Sequence, residues 1–114
     1  MQPVYKVFRL VEWREFEVLG RFDGSPDDRR DGFIHFSTAT QVVETAAKHF
    51  AGQQDLLLVR VNADQLGERL KWEPSRGGAL FPHLYGDLHL SAVTQVDALP
   101  LDSDNRHLFP PLAE

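Results

Sequence analysis

Over residues 4–10 the chain alternates, with Val4, Lys6, Phe8 and Leu10 set against Tyr5, Val7 and Arg9, and both sets are largely apolar. That period of two predicts a strand covered on both faces. The period then changes. Trp13, Phe16 and Leu19 recur at helical spacing, and Glu12 and Glu15 fall in the first turn, where the helix dipole favours acidic groups. Gly20 follows where a left-handed cap belongs, so a short amphipathic helix is expected over 12–19. Residues 21–30 show no periodicity. Asp23-Gly-Ser-Pro26 followed by Asp27, Asp28, Arg29 and Arg30 reads as an exposed, mobile loop, either a lid or a plain solvated connection.

Asp31-Gly32 makes a turn, and Phe33, Ile34 and Phe36 predict a short buried strand with His35 inside it. Thr38 and Gln41 have capping-box spacing, and Val42, Val43, Ala46, Ala47 and Phe50 form one apolar face ahead of Gly52, which predicts a second helix. Its polar face carries Glu44, Lys48 and His49. The run 56–61, apolar except for Arg60, predicts an interior strand, and Asp64 is the expected cap of a single helical turn within 62–67. Leu70 and Trp72 against Arg69, Lys71 and Glu73 predict a strand that Pro74 stops, with Glu73 on its polar face. A loop over 74–79, an aromatic stretch over 80–86 and two short strands over 88–90 and 92–99 complete the pattern. The fold class expected is α+β: a compact, strongly bent pair of antiparallel or mixed sheets with two main helices. A single domain covers 1–100, and the tail over 101–114, rich in Pro and charge, is expected on the surface or partly disordered.

With 114 residues the chain has room for one core and at most one active centre. Hydrophobic residues at 42% and charged residues at 25% are globular values that argue against disorder. A net charge of −5 disfavours sequence-independent nucleic-acid binding, which needs clustered Lys and Arg, but leaves room for a local basic pocket. The absence of cysteine excludes disulfides, thiolate catalysis, cysteine-type zinc sites and iron–sulfur clusters. No apolar run approaches the roughly 20 residues that span a bilayer. Met1-Gln-Pro-Val-Tyr-Lys lacks the apolar core of a secretory signal, so a cytoplasmic location without a membrane partner is expected. The sequence leaves the oligomeric state open.

Two clusters carry candidate chemistry. In Asp31-Gly-Phe-Ile-His-Phe-Ser-Thr38 an imidazole and two hydroxyls meet at a strand-to-helix junction, so His35 is either a hydrogen-bonded core residue or a group aimed at a ligand. The second cluster is Trp72-Glu-Pro-Ser-Arg-Gly-Gly78 with Phe81-Pro-His-Leu-Tyr85. There the amides of Gly77 and Gly78 beside the Arg76 guanidinium form either a phosphate cradle or a plain hairpin turn. His83 and Tyr85 share a face if the stretch is extended. His35, His83, His89, Asp87 and Glu73 are suitable metal ligands, but no pair has zinc-site spacing, so no metal is expected. No Gly-x-Ser-x-Gly elbow exists to support a serine hydrolase.

These blocks, together with Tyr5-Lys6, Glu12-Trp13, Gln41 and Gly86, occur in order and resemble a family of short bacterial proteins, domain of unknown function family 952, up to about Leu99. The resemblance implies a compact relative of the ADP-ribosyltransferase-like fold, distantly similar to the tRNA 2′-phosphotransferases that use NAD. It implies that His35 and Ser37 border a nicotinamide or ribose pocket. Where transferases of that type carry a first-strand histidine, this chain has Lys6, which pairs with a phosphate but lacks an imidazole's acceptor. Glu73 is the one carboxylate that suits the late-strand glutamate of those enzymes, and the basic patch for tRNA is missing. The expected site is a cleft between the His35 strand end and residues 76–85 that takes a nucleotide-like or other anionic small molecule. NAD is the candidate cofactor. Lys6, Arg76, Gly77 and Gly78 are placed on phosphate, His35 with Ser37 on the ribose, and His83 and Tyr85 on the opposite wall, with Tyr85 stacking and Thr38 a further cofactor-binding candidate. For an NAD-utilising transferase His35 and Glu73 are the candidate acid and base. Two alternatives stand beside it: a non-catalytic ligand-binding module, and, less favoured, a metal-dependent hydrolase.

Overall fold

The alternating segment near the start of the chain forms strand β1 (Pro3–Arg9) in a computed structural model that describes residues 2–113. Along one edge it pairs antiparallel over its whole length with β4 (Leu56–Asn62), which pairs in turn with β8 (Val93–Ala98). The most apolar strand is therefore the central one, as its near-continuous hydrophobic run requires. Helix α1 (Leu10–Leu19) covers one face of this sheet, burying Trp13 and Phe16 against Val4, Phe8, Val59 and Val61. Helix α3 (Ala39–His49) covers the other with Val42 and Ala46 on Tyr5, Val7, Leu56 and Leu58. Between them the alternation of Val4 and Phe8 against Tyr5 and Val7 is accounted for, with Lys6 the polar residue inside the strand and Arg9 exposed at its end.

Two further sheets complete the fold. A two-residue ladder joins β2 (Arg21–Phe22) to β7 (Leu88–His89), and β6 (Leu80–Leu84) lies between β3 (Ile34–His35) and β5 (Leu70–Pro74). Every strand pair among the described residues is antiparallel. The α+β class holds, with two main helices and a third short one. No helix is long and apolar enough to cross a membrane.

That third helix corrects the reading of 21–30 as a mobile loop. After β2 the chain forms α2 (Pro26–Asp31), started by a reciprocal cap: the Asp28 amide donates to Ser25 Oγ at 3.3 Å and the Ser25 amide donates to Asp28 Oδ2 at 2.9 Å. Pro26 occupies the first turn, where its missing N–H costs nothing, and Gly32 ends the helix at φ +86°. Ser25→Ala is expected to cost about 1 kcal/mol, read as a lower urea midpoint at unchanged slope.

Other boundaries shift for local reasons. Helix α1 begins at Leu10 rather than Glu12, because the Glu12 carboxylate accepts the Arg9 amide at 3.0 Å and makes Arg9 the cap. Val43 and Ala47 face solvent, one helical step away from the stripe of Val42 and Ala46 that meets the sheet. Asn62, not Asp64, caps the single turn that follows β4, its Oδ1 accepting the Asp64 amide at 3.0 Å. The segment expected as one strand over 88–90 breaks at Leu90 into a 3-10 turn. The tail is fastened to the body: Leu101 bridges to His107, Phe109 and Leu112 pack on the face covered by α3, and the Ala113 amide donates to Tyr5 Oη at 2.8 Å.

Candidate functional site

The second edge of β1 is nearly bare. Its ladder on that side is one bridge, in which the Tyr5 amide donates to the Ser37 carbonyl at 2.7 Å and the Ser37 amide donates to the Tyr5 carbonyl at 2.8 Å. A cavity of about 270 Å³ opens beside this bridge, lined from β1, α2, β3, α3 and the β5–β6 hairpin. Tyr5, Val7, Phe36, Val42 and Phe81 give it apolar wall, and most of its polar lining falls into three hydrogen-bonded groups, with Arg30 paired to Asp31 beside the first.

The first group centres on Asp28, which is 2% exposed. Lys6 Nζ lies 3.0 Å from its Oδ2, and its Oδ1 accepts the His35 amide at 3.1 Å and faces His35 Nδ1 at 2.6 Å. Burial alone raises the Asp28 carboxyl. The His35 hydrogen bond, the Lys6 charge and the Ser25 and His35 amides outweigh it and hold the group far below the usual carboxylate range. His35 Nε2 lies 2.9 Å from Asp31 Oδ2, so the imidazole is held between two carboxylates. Lys6 Nζ also donates to the His35 carbonyl at 3.1 Å. Lys6, expected on a ligand phosphate, therefore has protein acceptors already, and this group ties α2, β1 and β3 together as one wall.

The second group is built on Arg76. Its guanidinium donates to Thr45 Oγ1 at 3.1 Å, lies 3.2 Å from Glu44 Oε1 at Nε and sits 4.9 Å over the Phe81 ring centroid. Thr45 Oγ1 is also 3.0 Å from Ser37 Oγ. Glu44 is exposed, so its pairing with Arg76 is the weak, exchangeable kind of ion pair.

The third group is Glu73, His83 and Tyr85. Oε1 of Glu73 accepts from the Tyr85 hydroxyl at 2.8 Å and faces His83 Nδ1 at 2.8 Å. Hydrogen bonds from His83 and then Tyr85 hold the Glu73 carboxyl below its usual range, and Glu73 pushes the Tyr85 phenol up. The Phe33 ring stacks on His83 at 4.0 Å and 24°. His83 is 4% exposed, and its Nε2 is buried with no hydrogen-bond partner among the described residues. An unmet buried acceptor or donor costs about 1–3 kcal/mol, so this atom is an expensive one to leave idle.

Of the residues expected at the site, Lys6, His35, Ser37, Arg76 and His83 line one cavity. Thr38, Glu73, Gly77, Gly78 and Tyr85 do not. The Thr38 amide donates to Gln41 Oε1 at 3.0 Å at the start of α3. Gly77 and Gly78, at φ +68° and +78°, make the hairpin turn, and the Gly78 amide is used on the Ser75 carbonyl at 2.8 Å, which removes it from a phosphate cradle. Tyr85 and Glu73 reach the cavity only through His83. Asp28, Asp31, Thr45 and Arg30 are among the contributors that were missed. The spacing Ser25-x-x-Asp28 with Pro26 was a readable signal for the first, and the second left none, because Asp31 ends α2 and His35 lies on β3 beyond Gly32. Among the described residues no group of three or more His, Asp or Glu side chains is placed to hold a metal ion.

The chain is similar to solved structures of known source. The crystal structure of protein CC0527 from Caulobacter crescentus is 51% identical, with a TM-score of 0.90 and 93% of each chain covered. The solution NMR structure of CC0527 gives 52% identity and a TM-score of 0.84, covering 93% of this chain and 91% of that one. No curated protein matches. The family described as "Protein of unknown function (DUF952)" has a sequence model that matches residues 7–96, and the chain belongs to that family.

Proposed function

We propose that the cavity binds a small anionic molecule of nucleotide-like chemistry, with Arg76 as its anion contact. The observation that carries this reading is the Arg76 guanidinium itself: it lines the cavity at the end away from the Lys6–Asp28–His35 group, is fixed over Phe81 and on Thr45, and is paired only with the exposed Glu44. A ligand anion that displaces Glu44 gains a charge-assisted, geometrically fixed contact. The volume of about 270 Å³ lies just under the roughly 300–1,000 Å³ of sites for drug-sized ligands, so one sugar-phosphate unit fits within it and NAD is held by one end. The family resemblance to the ADP-ribosyltransferase-like fold supports NAD as the cofactor to test first, although likeness of fold does not carry chemistry.

A second reading, a binding module without transferase chemistry, is favoured by the two residues assigned to acid–base work. Both nitrogens of His35 face carboxylates, and Glu73 stands behind His83 rather than in the cavity. Calorimetric titration with inorganic phosphate, ADP-ribose and NAD tests the common part of both readings. ADP-ribose is expected to bind, and Arg76→Ala to weaken it by roughly 10- to 150-fold, the equivalent of a hydrogen bond to a charged group. Equal affinity in the variant, or no binding by any of the three, contradicts the proposal. Release of nicotinamide from bound NAD then separates the transferase from the module.

A further inference from the structure

We propose that His83 is the second ligand contact of this cavity, its Nε2 accepting a hydrogen bond from a hydroxyl of the bound anion, so that the site selects hydroxylated anions. This deepens the reading of Arg76 as the anion contact and rests on it. Glu73 Oε1 accepts from the Tyr85 hydroxyl and faces His83 Nδ1, so in the neutral imidazole the proton sits on Nδ1 and the lone pair on Nε2. Tyr85 completes the brace by donating to the same Glu73 oxygen. Phe33 stacked on one face of the ring and the His35 ring at 5.6 Å and 72° fix its plane, so the lone pair has a set direction. That nitrogen is buried, belongs to a residue lining the cavity and meets no donor among the described residues. Nε2 is closed to solvent in the unliganded protein, so a small shift of the surrounding side chains must admit the hydroxyl; the acceptor then discriminates, because a ligand lacking the donor leaves it unpaired. The chemical class is an anion bearing a hydroxyl, as in a sugar phosphate or a hydroxy acid. In this arrangement His83 touches the ligand and Glu73 is a positioning residue.

The test uses matched probes: ribose 5-phosphate against methyl phosphate, and glycolate against acetate. Ribose 5-phosphate is expected to bind at least about tenfold more tightly than methyl phosphate, and His83→Phe to bring that ratio close to one. Discrimination within the glycolate pair alone assigns the hydroxy-acid source, and still supports the proposal. Glu73→Ala, which removes the acceptor for Nδ1–H, is expected to shift the ring toward the other tautomer and to reduce the same ratio. Nitrogen-15 spectra of the unaltered protein give a readout that does not depend on any variant folding: Nδ1 carries the proton without ligand, and the Nε2 signal moves on adding ribose 5-phosphate. Phosphate binding that responds to Arg76→Ala but shows no hydroxyl preference in either pair and no Nε2 shift overturns the role of His83 and leaves the anion reading intact. Failure of all four probes to bind overturns both.

Discussion

Asp28→Ala is expected to lower the free energy of unfolding by about 3–5 kcal/mol, a large part of the roughly 5–15 kcal/mol that holds a domain of this size. The variant leaves Lys6 Nζ in a half-buried position with only the His35 carbonyl, and it strips the acceptor from the Ser25 and His35 amides and from His35 Nδ1. Asp28→Asn keeps the shape and loses the charge, so its cost is expected at roughly 1.5–3 kcal/mol. Lys6→Met combined with Asp28→Leu removes both charges together and is expected to recover much of the loss, since the penalty comes from an orphaned ion. The pH dependence has a definite sign. Because the Asp28 carboxyl is held low in the folded protein, the unfolded chain takes up its proton at higher pH, near the usual value of about 3.9. The stability that Asp28 contributes is therefore complete above roughly pH 5 and is lost as pH falls through that value toward the folded-state one. Urea unfolding across pH 3–7 is expected to show a shallower acid limb in Asp28→Asn than in the parent protein. Parallel limbs contradict the assignment.

Phe8→Ala is expected to cost about 3–5 kcal/mol by a different mechanism, the opening of a cavity in the larger of two hydrophobic clusters. Phe8 is fully buried near the end of β1, with the Trp13, Phe16 and Phe22 rings 4.7–5.9 Å from its own. The last two come from α1 and β2, so no single neighbour can move in to fill the space. Val18→Ala on the exposed face of α1 is the matched control and is expected to stay within about 0.5 kcal/mol. Denaturant midpoints for the two variants check this; a loss at Phe8 no larger than at Val18 contradicts the core assignment.

The parts of the fold that were legible in the sequence are those whose hydrophobic period runs long enough to count. The alternation through Val4, Lys6 and Phe8, the run through Leu57 and Val59, and the stripe of Val42 and Ala46 each name an element and the face that it buries. Helix α2 was hidden because Pro-Asp-Asp-Arg-Arg-Asp has no apolar face at all. It is held by caps at both ends and by one buried carboxylate, and a pattern method takes charged residues as solvated. Asp28, the best-buried charge of the chain, was read as loop for that reason.

The site was legible in the same partial way. His35 stood out as a polar residue in an apolar run, and the period of two put His83 and Tyr85 on one face, where Glu73 now joins them both. The register explains that junction: Glu73 pairs with Phe81 and Lys71 with His83, so Glu73 is the diagonal neighbour of His83 across the hairpin. What joins Arg76 to Thr45 on α3, or Lys6 to Asp28 on α2, is contact between segments far apart in the chain, and spacing carries no trace of it. Gly77-Gly78 was ambiguous in the sequence because the same left-handed freedom serves a turn and an anion cradle, and the hydrogen bond from the Gly78 amide to Ser75 commits that amide to the turn.

Both functional readings require an anion to enter the cavity beside Arg76. Backbone and side-chain chemical shifts of the isotope-labelled protein, followed while ribose 5-phosphate is added, test this most directly. The predicted result is saturable change at Arg76, Thr45, Ser37 and His83, with none at Gln95 and Asp97 on β8 across the sheet. Changes scattered over the surface, or no saturable change at Arg76, contradict it.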